Sequence, residues 1–236
     1  MKKLFLSSLV VTLVSLSVPM MSEAAGSVPN NISSPETLNS SNNIMPTIIL
    51  KEDGSIEFRE AWHVPDQLLE DAFYMADKFT DAVDRETLEL QFGEAIDIVK
   101  ADGTLGLLGT MNQTINQDNA DVDLMSEKLV ELLANSLSVS LTPEQLEAYK
   151  QSMKSTFLNL SFVDTGYMQW KQSSASNVSY LYNLFFAVER GGKLLGMPVG
   201  LTISANASKV EYLNNASFTN YNYSVNVKAI KVMKFK

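Results

Sequence analysis

The sequence predicts an α+β fold, in which helices from the first part of the chain pack on an antiparallel sheet formed mainly by the last part. Up to about residue 158 most apolar residues recur at helical spacing, and from about residue 164 they alternate with a period of two. The third observation is a long uncharged hairpin between Asn177 and Ala207. Helices followed by hairpin-connected strands are typical of helices packed on one antiparallel sheet.

The uncharged hairpin is the stretch around which the other elements are arranged. No charged residue lies between Gln172 and Val188 or between Leu194 and Ser208. Its tip is Gly191-Gly192, a pair typical of a two-residue turn. Each arm has about a dozen residues, or roughly 40 Å at about 3.3 Å per residue, whereas a membrane-crossing strand needs about 9–11 residues. One face carries Val178, Tyr180, Tyr182, Leu184, Phe186, Val188, Leu195, Met197, Val199, Leu201 and Ile203.

Two interpretations of this hairpin are compatible with each other. In a soluble state, a long uncharged hairpin is the centre of a sheet covered by helices. In a bilayer, the same hairpin can line a pore, with its apolar face against lipid and its Ser, Thr, Asn and Gly side chains against water. A protein could therefore store the hairpin under helices and expose it later.

The N-terminal region predicts export. Residues 1–24 form a secretory signal, with Lys2 and Lys3 before an apolar run and small residues at the cleavage site. A retained anchor is disfavoured, because the apolar run is short for a spanning helix. Residues 25–46 are rich in Ser, Asn and Pro and predict a disordered leader, either a tether or a removable pro-segment. Residues 47–236 form the folded domain.

The first half of the domain predicts two short strands and two helices. Thr47–Lys51 and Ser55–Arg59 are strand candidates around a tight turn. Pro65 opens an amphipathic helix that runs to about Val83. Thr87–Phe92 alternates briefly, and Gly93–Ala101 forms a short helix that ends before Asp-Gly.

The second half predicts two more helices before the strands. Asn112–Asp123 is polar and extended, and a helix carries apolar residues from Met125 to Leu137. Thr142-Pro-Glu-Gln145 is a capping box that starts a helix reaching Phe157. Besides the hairpin, strands are predicted at Gly166–Ser173 and Asn220–Phe235.

Composition excludes several classes of function. The formal net charge of −9, made more negative by removal of the signal, argues against a nucleic-acid binder and against docking by a polybasic patch. The chain has no cysteine, which excludes disulfides, a thiol nucleophile and a zinc–thiolate site.

No catalytic site, cofactor site or metal site is predicted. The single histidine, His63, is interpreted as structural, and no nucleophile elbow, phosphate loop or dinucleotide fingerprint is present. An acidic cluster lacks EF-hand spacing and is interpreted as a solvated helix start; it consists of Asp118, Asp121, Asp123 and Glu127. The sequence therefore predicts a protein that is not an enzyme.

A series of motifs between about Leu68 and Met233 is more specific. The strongest is Trp170-Lys-Gln-Ser-Ser-Ala-Ser-Asn-Val-Ser-Tyr-Leu-Tyr-Asn-Leu-Phe-Phe186, with the key residues Trp170, Ser174, Ala175, Asn177, Ser179, Tyr180, Tyr182 and Asn183. Further motifs are Ala72–Phe79, Gly93–Val99, Thr110–Gln117, Lys154–Leu160 and Met197–Val199. In content and order these motifs resemble the cytolytic delta-endotoxin (Cyt) family.

The resemblance implies one antiparallel sheet sandwiched between two layers of α-helical hairpins in a single domain. It also implies lysis of membranes by direct binding to phospholipid, without an obligatory protein receptor, followed by self-oligomerisation. The helices would move off the sheet so that the long hairpin inserts. The expected location is outside the producing cell, and at the target-cell membrane when active.

Detergent-like lysis remains a rival mechanism. A non-lytic virulence factor that binds a lipid or acyl chain between helices and sheet is the alternative function. The secretory signal departs from the family pattern, and so does the end of the chain at Lys236, which gives no expectation of activation by C-terminal trimming.

Overall fold

The computed structural model describes residues 47–48, 68–158, 167–217 and 219–235. The helices are α1 Leu69–Thr80, α2 Phe92–Ala101, α3 Val122–Ser136, α4 Pro143–Met153, α5 Ser155–Leu158 and α6 Lys209–Asn215. The strands are β1 Thr47–Ile48, β2 Leu105–Ala120, β3 Met168–Ser173, β4 Val178–Arg190, β5 Lys193–Ala205 and β6 Tyr221–Lys234. The signal, the leader, the strand candidate Ser55–Arg59, Pro65 and His63 lie outside the described residues.

The strands form one sheet in the order β1-β4-β5-β6-β2, with β3 also paired to β4. All pairs are antiparallel except the short parallel contact of β1 with β4. Beside β4, β3 lies opposite Val178–Tyr182 and β1 lies opposite Phe185 and Phe186. The antiparallel sheet predicted from the alternating pattern is therefore confirmed.

Helices cover both faces of the sheet. The larger core lies between one face and the layer formed by α3 and α4, with α6 against the same face at the end of β5. The smaller core lies between the other face and the layer formed by α1 and α2. The sandwich implied by the family resemblance is thus the observed architecture. No helix among the described residues is both long enough and apolar enough to span a membrane.

Local sequence signals account for several element boundaries. Thr142 and Gln145 form the predicted capping box at the start of α4, each side chain bonding the other residue's backbone N–H. At the start of α3, the Asp121 side chain accepts a hydrogen bond from the backbone N–H of Leu124. Gly191 and Gly192 have φ values of 62° and 75°, as a two-residue hairpin turn requires.

Some sequence-based expectations were wrong. The brief alternation at Thr87–Phe92 does not form a strand, because the Asp84 carboxylate accepts hydrogen bonds from the backbone N–H groups of Glu86 and Thr87 and closes a turn. Helix α1 ends at Thr80 rather than near Val83. The predicted helix through Phe157 is interrupted at Lys154.

Two further elements differ from the expectations. The extended segment predicted at Asn112–Asp123 is part of a longer strand, β2, which begins at Leu105 and gives way to α3 after Ala120. Helix α6 was not predicted, although Ser208 caps it by accepting the N–H of Glu211.

Candidate functional site

The apolar face of the β4–β5 hairpin is completely covered in this structure. The predicted apolar residues oppose one another directly, with Tyr182 beside Leu201 and Phe186 beside Met197. All eleven are buried: Val178, Tyr180, Tyr182, Leu184, Phe186, Val188, Leu195, Met197, Val199, Leu201 and Ile203. The hairpin is therefore the covered centre of a sheet, as one interpretation of the sequence predicted.

Few polar contacts join this face to the α3–α4 layer. The Tyr149 hydroxyl of α4 donates to the carbonyl of Ala187, 3.1 Å away, and its ring lies 5.0 Å from that of Phe186. The Ser136 hydroxyl of α3 lies 3.3 Å from the sulfur of Met197. Burial raises the pKa of Tyr149, so its hydroxyl stays a neutral donor. The layer is thus held mainly by apolar contact.

Two cations from the sheet hold the carboxyl end of α3. Arg190 donates from Nη1 to the carbonyl of Leu137 at 3.0 Å, and Lys231 donates from Nζ to the carbonyl of Ser136 at 3.3 Å. Helix α3 has no basic residue in its own last turn. Positive charge at this end of a helix is stabilising, because the terminal carbonyls carry partial negative charge. No local sequence signal predicts these contacts, since both donors are far from α3 along the chain.

Tyrosines join the other end of the hairpin to its cover. The Tyr180 hydroxyl donates to the carbonyl of Thr156 at 3.0 Å and lies 3.0 Å from the hydroxyl of Tyr212 in α6. Burial raises the pKa of both tyrosines, which keeps them neutral. Trp170 of β3 packs 5.2 Å from the Tyr180 ring, and Lys209 lies 4.3 Å above the Trp170 ring.

The opposite face of the sheet carries uncharged polar residues in register across four strands. One row runs from Ser179 through Ser204 and Ser224 to Asn116. The next row contains Thr202, Asn226 and Thr114, with the apolar Leu181 at its β4 end. Within these rows, Ser204 donates to Ser179 at 3.0 Å and Asn226 donates to Thr114 at 3.1 Å. Toward the β2 edge these side chains are exposed to solvent.

Closer to the hairpin tip, the α1–α2 side covers this second face. The turn before α2 is fixed by Asn183, whose Nδ2 donates to the carbonyl of Leu88 at 2.7 Å. Glu89 in the same turn pairs with Lys171 at 2.6 Å and Lys228 at 3.9 Å. The hydrogen bond and charge of Lys171 lower the pKa of Glu89. Sequence reasoning missed this turn, although the polar Asn183 in an apolar strand was a signal for it.

The residues of the sequence motif shape the connection between β3 and β4. Asn177 donates its backbone N–H to the Ser174 hydroxyl at 2.9 Å, and Ser174 donates its own to the Asn177 carbonyl at 2.9 Å. Ala175 is exposed in this turn. The rest of the motif is divided between strands and faces: Trp170, Tyr180 and Tyr182 lie on the apolar side, and Ser179 and Asn183 lie on the polar side.

The acidic cluster has structural partners. Asp121 caps α3, and Asp123 forms an ion pair with Lys154. Within the part of the chain that the structure describes, no group of three or more His, Cys, Asp or Glu residues is placed to hold a metal ion.

Comparisons place this architecture among known proteins. The model of a family described as Bacillus thuringiensis toxin matches residues 39–235. The type-2Bb cytolytic delta-endotoxin of Bacillus thuringiensis subsp. jegathesan is 24% identical over 193 residues, which cover 80% of this chain and 73% of that protein. The type-1Aa protein of subsp. morrisoni is 27% identical over 180 residues, with 71% of each chain covered. The crystal structure of activated Cyt2Ba monomer from subsp. israelensis has the same fold, with a TM-score of 0.66 and 22% identity over 81% of this chain and 98% of that one.

Proposed function

Because the chain belongs to the Bacillus thuringiensis toxin family, we propose that it is an exported cytolysin that permeabilises membranes. It binds phospholipid directly, assembles with other copies of itself and inserts the β4–β5 hairpin. Its curated relatives are cytolytic delta-endotoxins, which supports a toxin acting on target-cell membranes. The secretory signal predicted at residues 1–24 supports export.

The register of the two faces carries the proposal. Along 13-residue strands, buried apolar side chains oppose one another on one face. On the other face, Ser, Thr, Asn and Gly residues occupy about half of the positions, and apolar residues such as Phe185, Ala187 and Leu194 lie nearer the tip. A strand of that length exceeds the roughly 9–11 residues needed to cross a bilayer. Alternation of apolar and uncharged polar side chains is what a strand needs when one face meets lipid and the other meets water.

The free-energy cost of exposing the apolar face to water limits where the helices can leave it. Each large apolar side chain moved from the core into water costs about 1.5–3 kcal/mol, so eleven of them cost on the order of 20 kcal/mol. That cost exceeds the stability of a typical domain, which is about 5–15 kcal/mol. The α3–α4 layer therefore separates from the hairpin only where acyl chains replace it.

Inserted strands also require partners. In hydrocarbon, an unpaired backbone N–H or C=O group costs several kcal/mol, so a sheet with free edges does not remain inserted. Assembly of several copies removes those edges. This requirement links insertion to oligomerisation.

Dye release tests the proposed activity. Residues 25–236, with and without removal of the leader up to Pro46, are added to neutral phosphatidylcholine vesicles loaded with calcein. We expect rapid release, and a difference between the two forms would reveal the role of the leader. Folded protein that releases no dye in either form would contradict the proposal and favour a non-lytic lipid-binding protein.

A covalent bridge between helix and sheet tests the insertion step. Ser136→Cys and Lys231→Cys place thiols at two half-buried positions where α3 contacts β6. The natural chain has no cysteine, so a short bis-methanethiosulfonate reagent, which couples to each thiol through a reducible disulfide and releases methanesulfinate, can join these two sites. We expect the bridge to abolish release and reduction to restore it.

The matched control bridges Thr202→Cys and Asn226→Cys, which are neighbours within the sheet. This bridge leaves α3 free to move, so release should persist. Full release by the variant bridged between α3 and β6 would show that α3 stays on the sheet during permeabilisation, and the insertion step would be refuted.

A further inference from the structure

Strand β2 forms one edge of the sheet and has an unusual composition for that position. Among the described residues it pairs only with β6. No charged residue lies between Gly103 and Gln117. Register shifts occur near its two ends, after Leu107 and after Gln117, while pairing from Gly109 to Gln117 is regular.

The other edge of the sheet is built differently. There β3 is six residues long, carries Lys171, and has a register shift between Trp170 and Gln172. Short length, a lysine and a bulge are the features by which proteins prevent edge strands from pairing with other chains. The central part of β2 lacks all three, while the lysines of this region lie on the interior strand β6, at Lys228, Lys231 and Lys234.

We propose that the outer edge of β2 is the surface through which two copies of the chain pair, strand against strand, on the membrane. The inference rests on the proposed function, because strand edges must be paired there, and this contact removes one free edge from each copy. A free edge offers a row of backbone donors and acceptors, so its partner is another strand. A second copy supplies an equally uncharged strand, and the contact avoids the repulsion that the net charge of −9 imposes elsewhere on the surface.

Antiparallel pairing of β2 with its own copy also preserves both faces. A twofold axis perpendicular to the sheet keeps equivalent faces on the same side. Met111 and Ile115 then continue the apolar face across the contact, while Thr114 and Asn116 continue the polar face. The result is a doubled sheet that remains apolar on one side and polar on the other.

Single-cysteine variants test this geometry in a chain that has no cysteine of its own. The exposed, polar-face positions are changed one at a time: Thr110→Cys, Asn112→Cys, Thr114→Cys and Asn116→Cys. Variants are incubated singly and in pairs with calcein-loaded phosphatidylcholine vesicles and a mild oxidant, then run on non-reducing gels. In an antiparallel contact, directly opposed residues lie about 4.5–5.5 Å apart, within reach of a disulfide. Along an antiparallel contact, the numbers of two opposed residues always add up to the same value. The pairs of variants that crosslink efficiently should therefore share one such sum.

Ser224→Cys is the matched control, because Ser224 is exposed on the same face directly beside Asn116, but one strand further in. Its distance to its own copy spans three strand spacings, or roughly 14 Å, which is too far for a disulfide. We expect about tenfold more crosslinked dimer at the best β2 pair than for this control, since thiols held beyond about 7 Å are not bridged.

Dye release measured in the same samples separates this inference from the proposed function. Release without crosslinking above the Ser224→Cys level overturns the β2 contact and leaves the cytolysin proposal intact. Crosslinking with a constant residue sum but without release supports the contact and overturns the cytolysin proposal. Crosslinking at unrelated sums also overturns the contact, since random collision would then explain it.

Discussion

The hydrogen bond between Tyr149 and Ala187 offers a direct measure of whether α4 leaves the hairpin. Both residues are fully buried, and the hydroxyl lies 3.1 Å from the carbonyl oxygen. Tyr149→Phe removes the hydroxyl and retains the ring that packs 5.0 Å from Phe186. The variant should therefore fold as the natural protein does.

The expected loss of stability follows from the bond removed. A buried hydrogen bond contributes about 0.5–1.5 kcal/mol net, and a carbonyl left without its partner adds to the cost. We expect the free energy of unfolding to fall by about 1.5 kcal/mol. In urea this should appear as a lower midpoint with an unchanged slope, because the surface exposed on unfolding is the same.

The same change should accelerate permeabilisation. If α4 must separate from β4 before insertion, the natural protein breaks this bond and the variant does not. A difference of about 1.4 kcal/mol corresponds to a factor of ten, so the initial rate of calcein release should rise up to about tenfold. A destabilised Tyr149→Phe protein that releases dye no faster would refute the separation of α4.

Tyr221→Phe is the control for this experiment. The Tyr221 hydroxyl makes a long contact of 3.5 Å to the carbonyl of Glu211 and a hydrogen bond with Thr219, both within the α6–β6 connection and away from α4. Its removal should change neither the stability nor the rate of release by a comparable amount.

Three other changes probe the remaining contacts. Arg190→Met should cost about 1 kcal/mol of stability and accelerate dye release, because α3 loses a cation at its carboxyl end; Lys193→Met, which removes a charge from the same turn, should do neither. Glu89→Gln should cost about 0.5 kcal/mol at neutral pH in urea titrations. The pKa of Glu89 in the folded protein lies below its ordinary value of 4.5, so the loss of stability should be complete above pH 4.5 and vanish as the pH falls through the folded pKa. A loss of stability that does not depend on pH would contradict the ion pair. Gly196→Ala should lower the stability by about 1–3 kcal/mol in thermal unfolding, because its Cβ would lie 2.5 Å from the ring of Phe185, and an unchanged melting temperature would contradict that packing.

The parts of the fold that follow from local chemistry were predictable from sequence. Alternation and the Gly191-Gly192 pair define the hairpin, whose strands Val178–Arg190 and Lys193–Ala205 confirm the predicted turn and faces. The capping box at Thr142 likewise sets the start of α4 through contacts within one turn. In each case the residues that determine the structure are close together in the chain.

The contacts that hold the layers together were not predictable in this way. Asn183 bonds to Leu88 across 95 positions of sequence, and Arg190 bonds to Leu137 across 53. The alternation at Thr87–Phe92 resembled a strand because hydrophobic pattern does not record the Asp84 side chain that closes the turn. Helix α6 is too short for its periodicity to stand out among strands.

Apolar contact binds both helix layers to the sheet, but ion pairs add to it on the α1–α2 side, so the two layers should respond differently to solutes. Carboxylate–lysine pairs join the sheet to the α1–α2 side, through Glu89 with Lys171 and Lys228 and through Asp71 with Lys234. No such pair within the described residues joins α3 or α4 to the sheet, where apolar contact dominates. Chloride salts screen exposed ion pairs, whereas sulfate strengthens apolar burial. Chloride should therefore weaken the α1–α2 side more than the α3–α4 layer, whereas sulfate should strengthen the apolar cover of the hairpin.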